Sequence, residues 1–459
     1  MKLLNRQFVE PRDYPEKVLQ FGTGVLLRGL PDYFIEKANR ADMFGGSIAV
    51  VKSTEKGDAD PFKQQDNLYT IHIKGLENGH DVQDTLLVSA INRVITAITD
   101  WPSVLDVASA PELAIVVSNT TEVGIVLDEA DDVFATPPRS FPGKLTAVLL
   151  KRFWVFKGAE DKGLVVLPTE LIDKNGERLL DIVIALAERH QLGEGFVDWV
   201  KNHNYFCNTL VDRIVPGSLE AAVRQQAEHR LGYRDELAIM AEPFCLWAIE
   251  TSHPRVTEAL TFAGADNRVV IASDIDKFKE LKLRLLNGSH TFACGLAMQA
   301  GFDTVKVAMA NQSFSTYVKR VMHNEIIPTL VGIGIDKQEA EMFADQVIDR
   351  FANPYLEHKW ESISTNYTSK MRMRNFATLE RHFKGGRSNG ANYMALGFAG
   401  YLMAMGRGEP FQLLADWEKD LISLGDFLPT VKNYLNQLQQ KSVSEVLEAL
   451  NSNHDEGGH

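Results

Sequence analysis

The chain has 459 residues, 45% of them hydrophobic and 24% charged, with a formal charge of -13. That length exceeds one ordinary core and predicts two large domains, while the surplus of carboxylates excludes a nucleic-acid binder, which needs a basic face. The cysteines Cys207, Cys245 and Cys294 are scattered and in no C-x-x-C spacing, so neither a disulfide framework nor a metal site is expected.

The first apolar group is only Leu3-Leu4, and no run approaches the roughly 18 apolar residues of a membrane span. A leader, an anchor and a membrane partner are therefore not expected, and a reducing cytoplasm fits the cysteine usage. Over residues 1–273, short apolar runs alternate with helical stretches, which predicts a Rossmann-like α/β domain with a mostly parallel sheet. Its expected strands are 18–21, 47–51, 113–117 and 164–167, and Val269–Ala272 is either another strand or the close of the domain.

VLQFGTGVLLRGLPDYFIEKANR reads as strand, glycine turn and helix start. Phe21 ends the strand and Gly22 permits the tight turn, while Gly24, between Thr23 and Val25, lets backbone N–H groups approach a pyrophosphate at a helix N-terminus. Leu27 occupies the third position of G-x-G-x-x-G, and a lone G-x-G recurs by chance. The next strand, SIAVVKSTEKG, ends at Lys52, and the nearest acid is Glu55. An acid there binds the adenosine ribose of NAD and a cation can take the 2′-phosphate of NADP, so with a plain solvated strand end as the third reading the choice stays open. LAIVVSNTTEVG brings Asn119, Thr120 and Thr121 to the C-terminal edge of the sheet, where cofactors lie in such folds and where ordinary loops lie too.

From 274 to 459 apolar residues recur at helical spacing, which predicts an α-helical second domain. Asp336 with Glu339, and Ser442 with Glu445, read as capping boxes. Ala340, Phe343, Val347 and Phe351 share one helical face, and the polar tail 451–459 is expected to fray.

KLRLLNGSHTFACGLAMQAG carries Lys282, Asn287 and His290 at K-x-x-x-x-N-x-x-H spacing. On a regular helix Asn287 and His290 stand about 60° apart and Lys282 and His290 about 80°, so the three converge on one wall. Leu283 and Leu286 fall in that arc, and Leu285 packs behind it. Reducing a carbonyl requires a proton for the developing alkoxide and donors to hold its charge. Lys282 is the candidate acid/base, a role that requires its reference pKa of about 10.4 to fall toward roughly 7–8, as burial in an apolar wall can achieve. Asn287 is the amide donor and His290 the positioning group. An exposed lysine, a capping asparagine and a core histidine would spell the same pattern.

KLRLLNGSH, together with FCNTLVDRIVPG and its Val211, Asp212, Arg213, Ile214 and Pro216, resembles the two signatures of the mannitol dehydrogenase family, long-chain polyol dehydrogenases that work without metal. The likeness continues through YPEKVLQFGTG, QDNLYT, SNTTEVG, FPGKLTAVLLKRF, DKGLVVLPTELIDKNGE, NEIIPTL and RFANPYLEHK, nearly the whole chain. It implies Lys282 as general acid/base, Asn287 as oxyanion donor, His290 as substrate-positioning group, and NAD as cofactor, although Lys52 does not itself support NAD.

The mannitol enzymes carry an Asn-containing segment where this chain has PTELID. Here Glu170 and Asp173 flank Leu171 and Ile172 instead, which implies a different substrate polarity. The members it most resembles act on a small sugar acid, and an acidic chain needs a local cation to hold a carboxylate. NYTSKMRMRNF supplies Lys370, Arg372 and Arg374, with Lys370 where the family carries a substrate-contacting lysine. Asp212 either bonds substrate hydroxyls or belongs to a structural ion pair. A neutral-polyol enzyme and a nucleotide sensor that kept the fold are the other readings. Lys282, Asn287 and His290 together speak against the sensor, which needs no proton donor.

Overall fold

Runs of consecutive apolar residues, rather than alternating ones, belong to strands covered on both faces, and the first half of the chain folds that way. The computed structural model describes residues 1–9, 12–53, 59–120, 124–385 and 391–455; Glu55 and Thr121 lie outside the described residues. Contacts divide the chain into one unit of Met1–Lys74 and Gln83–Ile275, and a second of Gly75–Val82 and Asp276–His459.

The strands in chain order are β1 Glu16–Phe21, β2 Ser47–Lys52, β3 Tyr69–Glu77, β4 His80–Val88, β5 Ile91–Thr96, β6 Ile115–Ser118, β7 Val165–Pro168, β8 Tyr205–Phe206, β9 Thr209–Asp212, β10 Gly217–Ser218, β11 Ile239–Ala241, β12 Leu246–Glu250 and β13 Val269–Ala272. Six of them form a parallel sheet in the order β5-β2-β1-β6-β7-β8. Neighbouring residues face opposite cores: Val18, Ile48, Val50, Ile115 and Val117 join one cluster, while Leu19, Phe21, Ala49, Val51 and Val116 join the other with helices Trp101–Ala108 and Phe141–Phe156. The order reverses between β1 and β6, and a ligand crevice belongs outside the strand ends at such a reversal.

Val269–Ala272 is a strand outside that sheet. It pairs with β12 in a three-stranded sheet of order β13-β12-β9. A further sheet, β10-β11-β3-β4, has no counterpart in the expected strands. Its hairpin turns at Asn78 and Gly79, both at positive φ, 52° and 74°, the conformation that makes Asn-Gly a hairpin signal.

In the second unit, the helix Lys337–Ala352 is capped by the Asp336 side chain, and Ala340, Phe343, Val347 and Phe351 are all buried. Ser442 and Glu445 form a reciprocal capping box at the start of Val443–Asp455. That helix carries the chain past the point where fraying was expected, because Asn451 is pinned: its amide donates to the Ser313 carbonyl at 3.0 Å, and its own carbonyl accepts from Arg320 at 2.6 Å. Among the described residues, three helical stretches of this unit widen into π-helix, at Lys282–Gly288, Val321–Ile326 and Met371–Phe376. π turns are rare and often sit at functional places.

Candidate functional site

In the first unit the glycine turn follows β1 directly. Gly22 has φ +124°, and a Cβ there would lie 2.8 Å from Leu27 Cδ1 and 3.0 Å from the Asn119 carbonyl oxygen. Only glycine fits. Gly24 caps the helix Val25–Gly29, and a Cβ added to it would meet nothing within 4 Å among the described residues, so among these the backbone is bare on that side. Leu27, in place of the third glycine, is fully buried beneath the turn. The close approach that a third glycine usually allows is made by Gly29, where a Cβ would come within 2.7 Å of the Val215 side chain.

Phe21 is buried against Phe141, with ring centroids 5.2 Å apart. Lys52 is buried at the end of β2, 7% exposed, which removes the reading of a solvated strand end. Asn119 and Thr120 stand at the end of β6, across the strand reversal from Gly22. The Asn119 amide donates to the Phe21 carbonyl at 3.2 Å, and its side chain donates to the Thr169 carbonyl and hydroxyl oxygens at 3.0 Å each. A cavity of about 540 Å³ opens at this edge, lined by Ser53, Thr120, Val126, Leu127, Arg139 and Lys144 among others. The fit to a dinucleotide is good: a glycine no side chain could replace, bare backbone beyond it, and a crevice at the strand reversal.

Asp212, the last residue of β9, is buried in this unit. Its neighbour Arg213 donates to the Glu242 carbonyl at 3.0 and 2.8 Å and to the Gly29 carbonyl at 2.6 Å, and lies over the Tyr33 ring.

In the second unit, Lys282 opens a π turn that runs through Asn287 to Gly288, and His290 lies in the first turn of the helix Ser289–Gln299. The angles expected from a regular helix do not hold here, since i→i+5 bonding sets a different angle per residue. Lys282 and Asn287 are half-buried rather than enclosed. Leu283 is half-buried as well, whereas Leu285 and Leu286 are both buried.

His290 is buried, its ring lying flat on Phe351 at 3.8 Å and 11°, with His358 and Trp360 edge-on at 5.2 and 5.9 Å. Its Nε2 is buried and has no hydrogen-bond partner among the described residues. Burial holds this imidazole well below its usual range, helped by the neighbouring His358 ring and by the positive charges of Arg350, Arg374 and Lys370. The ring is thus neutral, and it is surrounded by cationic groups in an otherwise acidic chain.

Lys370 donates to the Ile363 carbonyl at 2.9 Å, and burial followed by the Arg374 charge lowers its pKa. Arg374 reaches the Thr291 hydroxyl at 3.3 Å, and that hydroxyl donates to the Asn287 carbonyl at 2.7 Å. Arg372 is engaged elsewhere, bonding to Asp420 at 2.7 Å and lying 4.0 Å over the Trp417 ring. Arg350 and His358, in RFANPYLEHK, are members of the cluster that sequence reasoning did not single out. The available signal was two basic residues flanking Phe351 and a proline on a segment already noted for its likeness.

The Mannitol dehydrogenase Rossmann domain family model matches residues 16–260, and the Mannitol dehydrogenase C-terminal domain model matches residues 274–449. An altronate oxidoreductase of Escherichia coli O7:K1 is 39% identical over 98% of this chain and 100% of its own. One of Bacillus subtilis is 38% identical over 83% of this chain and 78% of its own. Among solved structures, a D-sorbitol dehydrogenase in substrate-free form superposes with TM-score 0.78 at 21% identity, covering 97% of this chain and 99% of that one. A Pseudomonas fluorescens mannitol 2-dehydrogenase in ternary complex with NAD and D-mannitol gives TM-score 0.68 at 22% identity, covering 98% and 99%. These two speak to the fold, whereas both domain models and full-length relatives near 40% identity speak to descent: this chain belongs to the mannitol dehydrogenase family.

Proposed function

We propose that this protein is an NAD-dependent altronate oxidoreductase of the cytoplasm, interconverting tagaturonate and altronate. The observation that carries the sugar-acid reading is the group of cations, Arg350, Arg374 and Lys370, gathered about a buried neutral His290 in a chain of net charge -13. A neutral polyol gives no reason for such a cluster, whereas a carboxylate does. The curated relatives named altronate oxidoreductase support the same substrate class.

NAD, when bound at the turn of Phe21, Gly22, Thr23, Gly24 and Val25, near Lys52, Asn119 and Thr120, supplies or takes the hydride. In the direction of reduction Lys282 gives a proton to the carbonyl oxygen, and the Asn287 amide donates to that oxygen as its charge grows. His290, neutral and with Nε2 uncommitted among the described residues, hydrogen-bonds a substrate hydroxyl and orients it. Lys370, with Arg374 and Arg350, holds the carboxylate, and Asp212 contacts hydroxyls. Arg372, already bonded to Asp420, is a second-rank candidate for the carboxylate.

The test is NADH absorbance with purified protein against tagaturonate, fructuronate and fructose in parallel, repeated with NADPH. Oxidation of NADH by tagaturonate alone is expected. A preference for fructuronate would reassign the epimer, one for fructose would remove the carboxylate from the reading, and one for NADPH would turn Lys52 into a 2′-phosphate ligand.

A further inference from the structure

Glu170 stands just past the end of β7, 3% exposed, with both carboxylate oxygens in use. Oε1 accepts from the Thr120 amide at 2.9 Å and from the Thr120 hydroxyl at 3.0 Å, and Oε2 accepts from the Ser118 hydroxyl at 3.1 Å. Burial raises its pKa, against the bonds from Thr120 and Ser118 that favour the ionised form. A buried carboxylate is costly unless such bonds are kept, and the proposed reaction gives it no proton to move.

What it grips is the turn opposite the glycines. Asn119 lies between the two gripped residues, and its carbonyl oxygen is 3.0 Å from the point a Cβ on Gly22 would occupy. The Asn119 amide is bonded to the Phe21 carbonyl at 3.2 Å, and the Gly22 amide to the Val51 carbonyl at 3.0 Å. Glu170, the Ser118–Thr120 turn and Gly22 thus form one unbroken series of contacts, all inside the first unit. A shift of the turn by a few tenths of an ångström is passed to the glycine without slack, because close-packed atoms transmit displacement.

We infer that Glu170 is a positioning residue for the dinucleotide: by holding Ser118 and Thr120 it seats the Asn119 carbonyl against Gly22 and sets the width of the crevice at the strand reversal. This rests on the dinucleotide reading above. The demand is for acceptor geometry rather than charge, so a glutamine serves nearly as well. Its amide oxygen accepts from Thr120, and its NH2 donates to a Ser118 hydroxyl turned to accept.

NADH binding to wild type, Glu170→Ala, Glu170→Gln and Ser118→Ala is measured by nicotinamide fluorescence well below each protein's Tm, with thermal unfolding followed beside it. Loss of the clamp is expected to raise Kd about tenfold in Glu170→Ala and about threefold in Ser118→Ala, while Glu170→Gln stays within about twofold. A merely structural role would lower Tm and leave Kd alone. Unchanged Kd in both Glu170→Ala and Ser118→Ala overturns the assignment, as does a Glu170→Gln variant as weak as the alanine. If Glu170→Ala does not fold, Ser118→Ala against Glu170→Gln decides by the same readings. A wild type that binds no NADH overturns the dinucleotide reading itself, and the assignment with it.

Discussion

Asp32 lies in the first turn of the helix Pro31–Arg40 with no solvent exposure. Its Oδ2 accepts from the Tyr69 hydroxyl at 3.0 Å, and its Oδ1 has no hydrogen-bond partner among the described residues. Burial raises its pKa from 3.8 to about 7, against the Tyr69 hydrogen bond, the Arg28 charge and the Gln20 amide. Between those two values the folded state holds a proton that the unfolded chain has released, so stability falls as pH rises through the window and levels off above it. At about 1.4 kcal/mol for each pH unit, the full loss is about 4 kcal/mol, an upper figure. Asp32→Asn keeps an oxygen for Tyr69 and cannot ionise, so it lacks this penalty. The advantage of the variant over wild type should be near zero at pH 4 and grow to a few kcal/mol by pH 8. Amide exchange in the helix Pro31–Arg40 reads the opening of this unit without assuming that both units unfold together. A variant-to-wild-type difference that is the same at pH 5 and pH 8 would show that Asp32 does not titrate in that window and refute the reasoning.

Lys282→Ala should cut turnover of the keto-uronate by about 10² to 10⁴, the usual worth of a general acid, with NADH affinity nearly intact; near-normal turnover removes Lys282 from the mechanism. Lys370→Ala should raise the KM for the keto-uronate far more than it changes kcat, and an unaltered KM discards the carboxylate contact. Arg372→Ala should leave KM unchanged and lower stability by about 1 kcal/mol or less, since what it loses is an exposed ion pair with Asp420 and a stack on Trp417. A large KM effect there would mean that Arg372 leaves Asp420 when substrate binds.

How much of this was legible in the sequence follows from the range of the forces involved. β1, β2, β6 and β7 were readable because a strand covered on both faces is apolar at most consecutive positions, and no partner need be known to see it. β4 was missed because His80–Val88 is largely exposed, and β3 because Thr70, His72 and Lys74 interrupt its apolar residues, although Asn78-Gly79 was the local signal for their turn. Apart from β3 and β4, the strands of the smaller sheets run only two to five residues, and of these only Val269–Ala272 was read from its apolar run. In the site, Lys282, Asn287 and His290 were visible as residue types at a fixed spacing. The cations that suppress protonation of His290 arrive from 60 to 84 residues further along the chain, and only packing brings them there. Glu170 is similar: an acid after an apolar strand looks like a loop residue until its 50-residue reach to Thr120 is known.

The spacing of Lys282 and Asn287 is itself informative once the π turn is known. In an α-helix residues five apart stand about 140° from each other, so the lysine and the amide would stand at opposite edges of the arc that His290 bisects. Bonding i→i+5 brings the fifth residue back nearly above the first, and K-x-x-x-x-N becomes a spacing for two side chains that share one wall. Such a turn displaces carbonyls from their i+4 partners, and the residues after Asn287 answer that need. Ser289 donates to the Leu285 and Leu286 carbonyls, and Thr291 donates to that of Asn287, the back-bonding open to short hydroxyl side chains in helices. Gly288 lets the turn close on the third π segment, Met371–Phe376, since a Cβ there would lie 2.9 Å from Asn375 Oδ1, and Arg284 ties the two by bonding the Met373 and Arg374 carbonyls. The serine, the glycine and Thr291 in NGSHT therefore support the widened backbone that sets Lys282 and Asn287 on one wall, which is what the proposed roles of the two require.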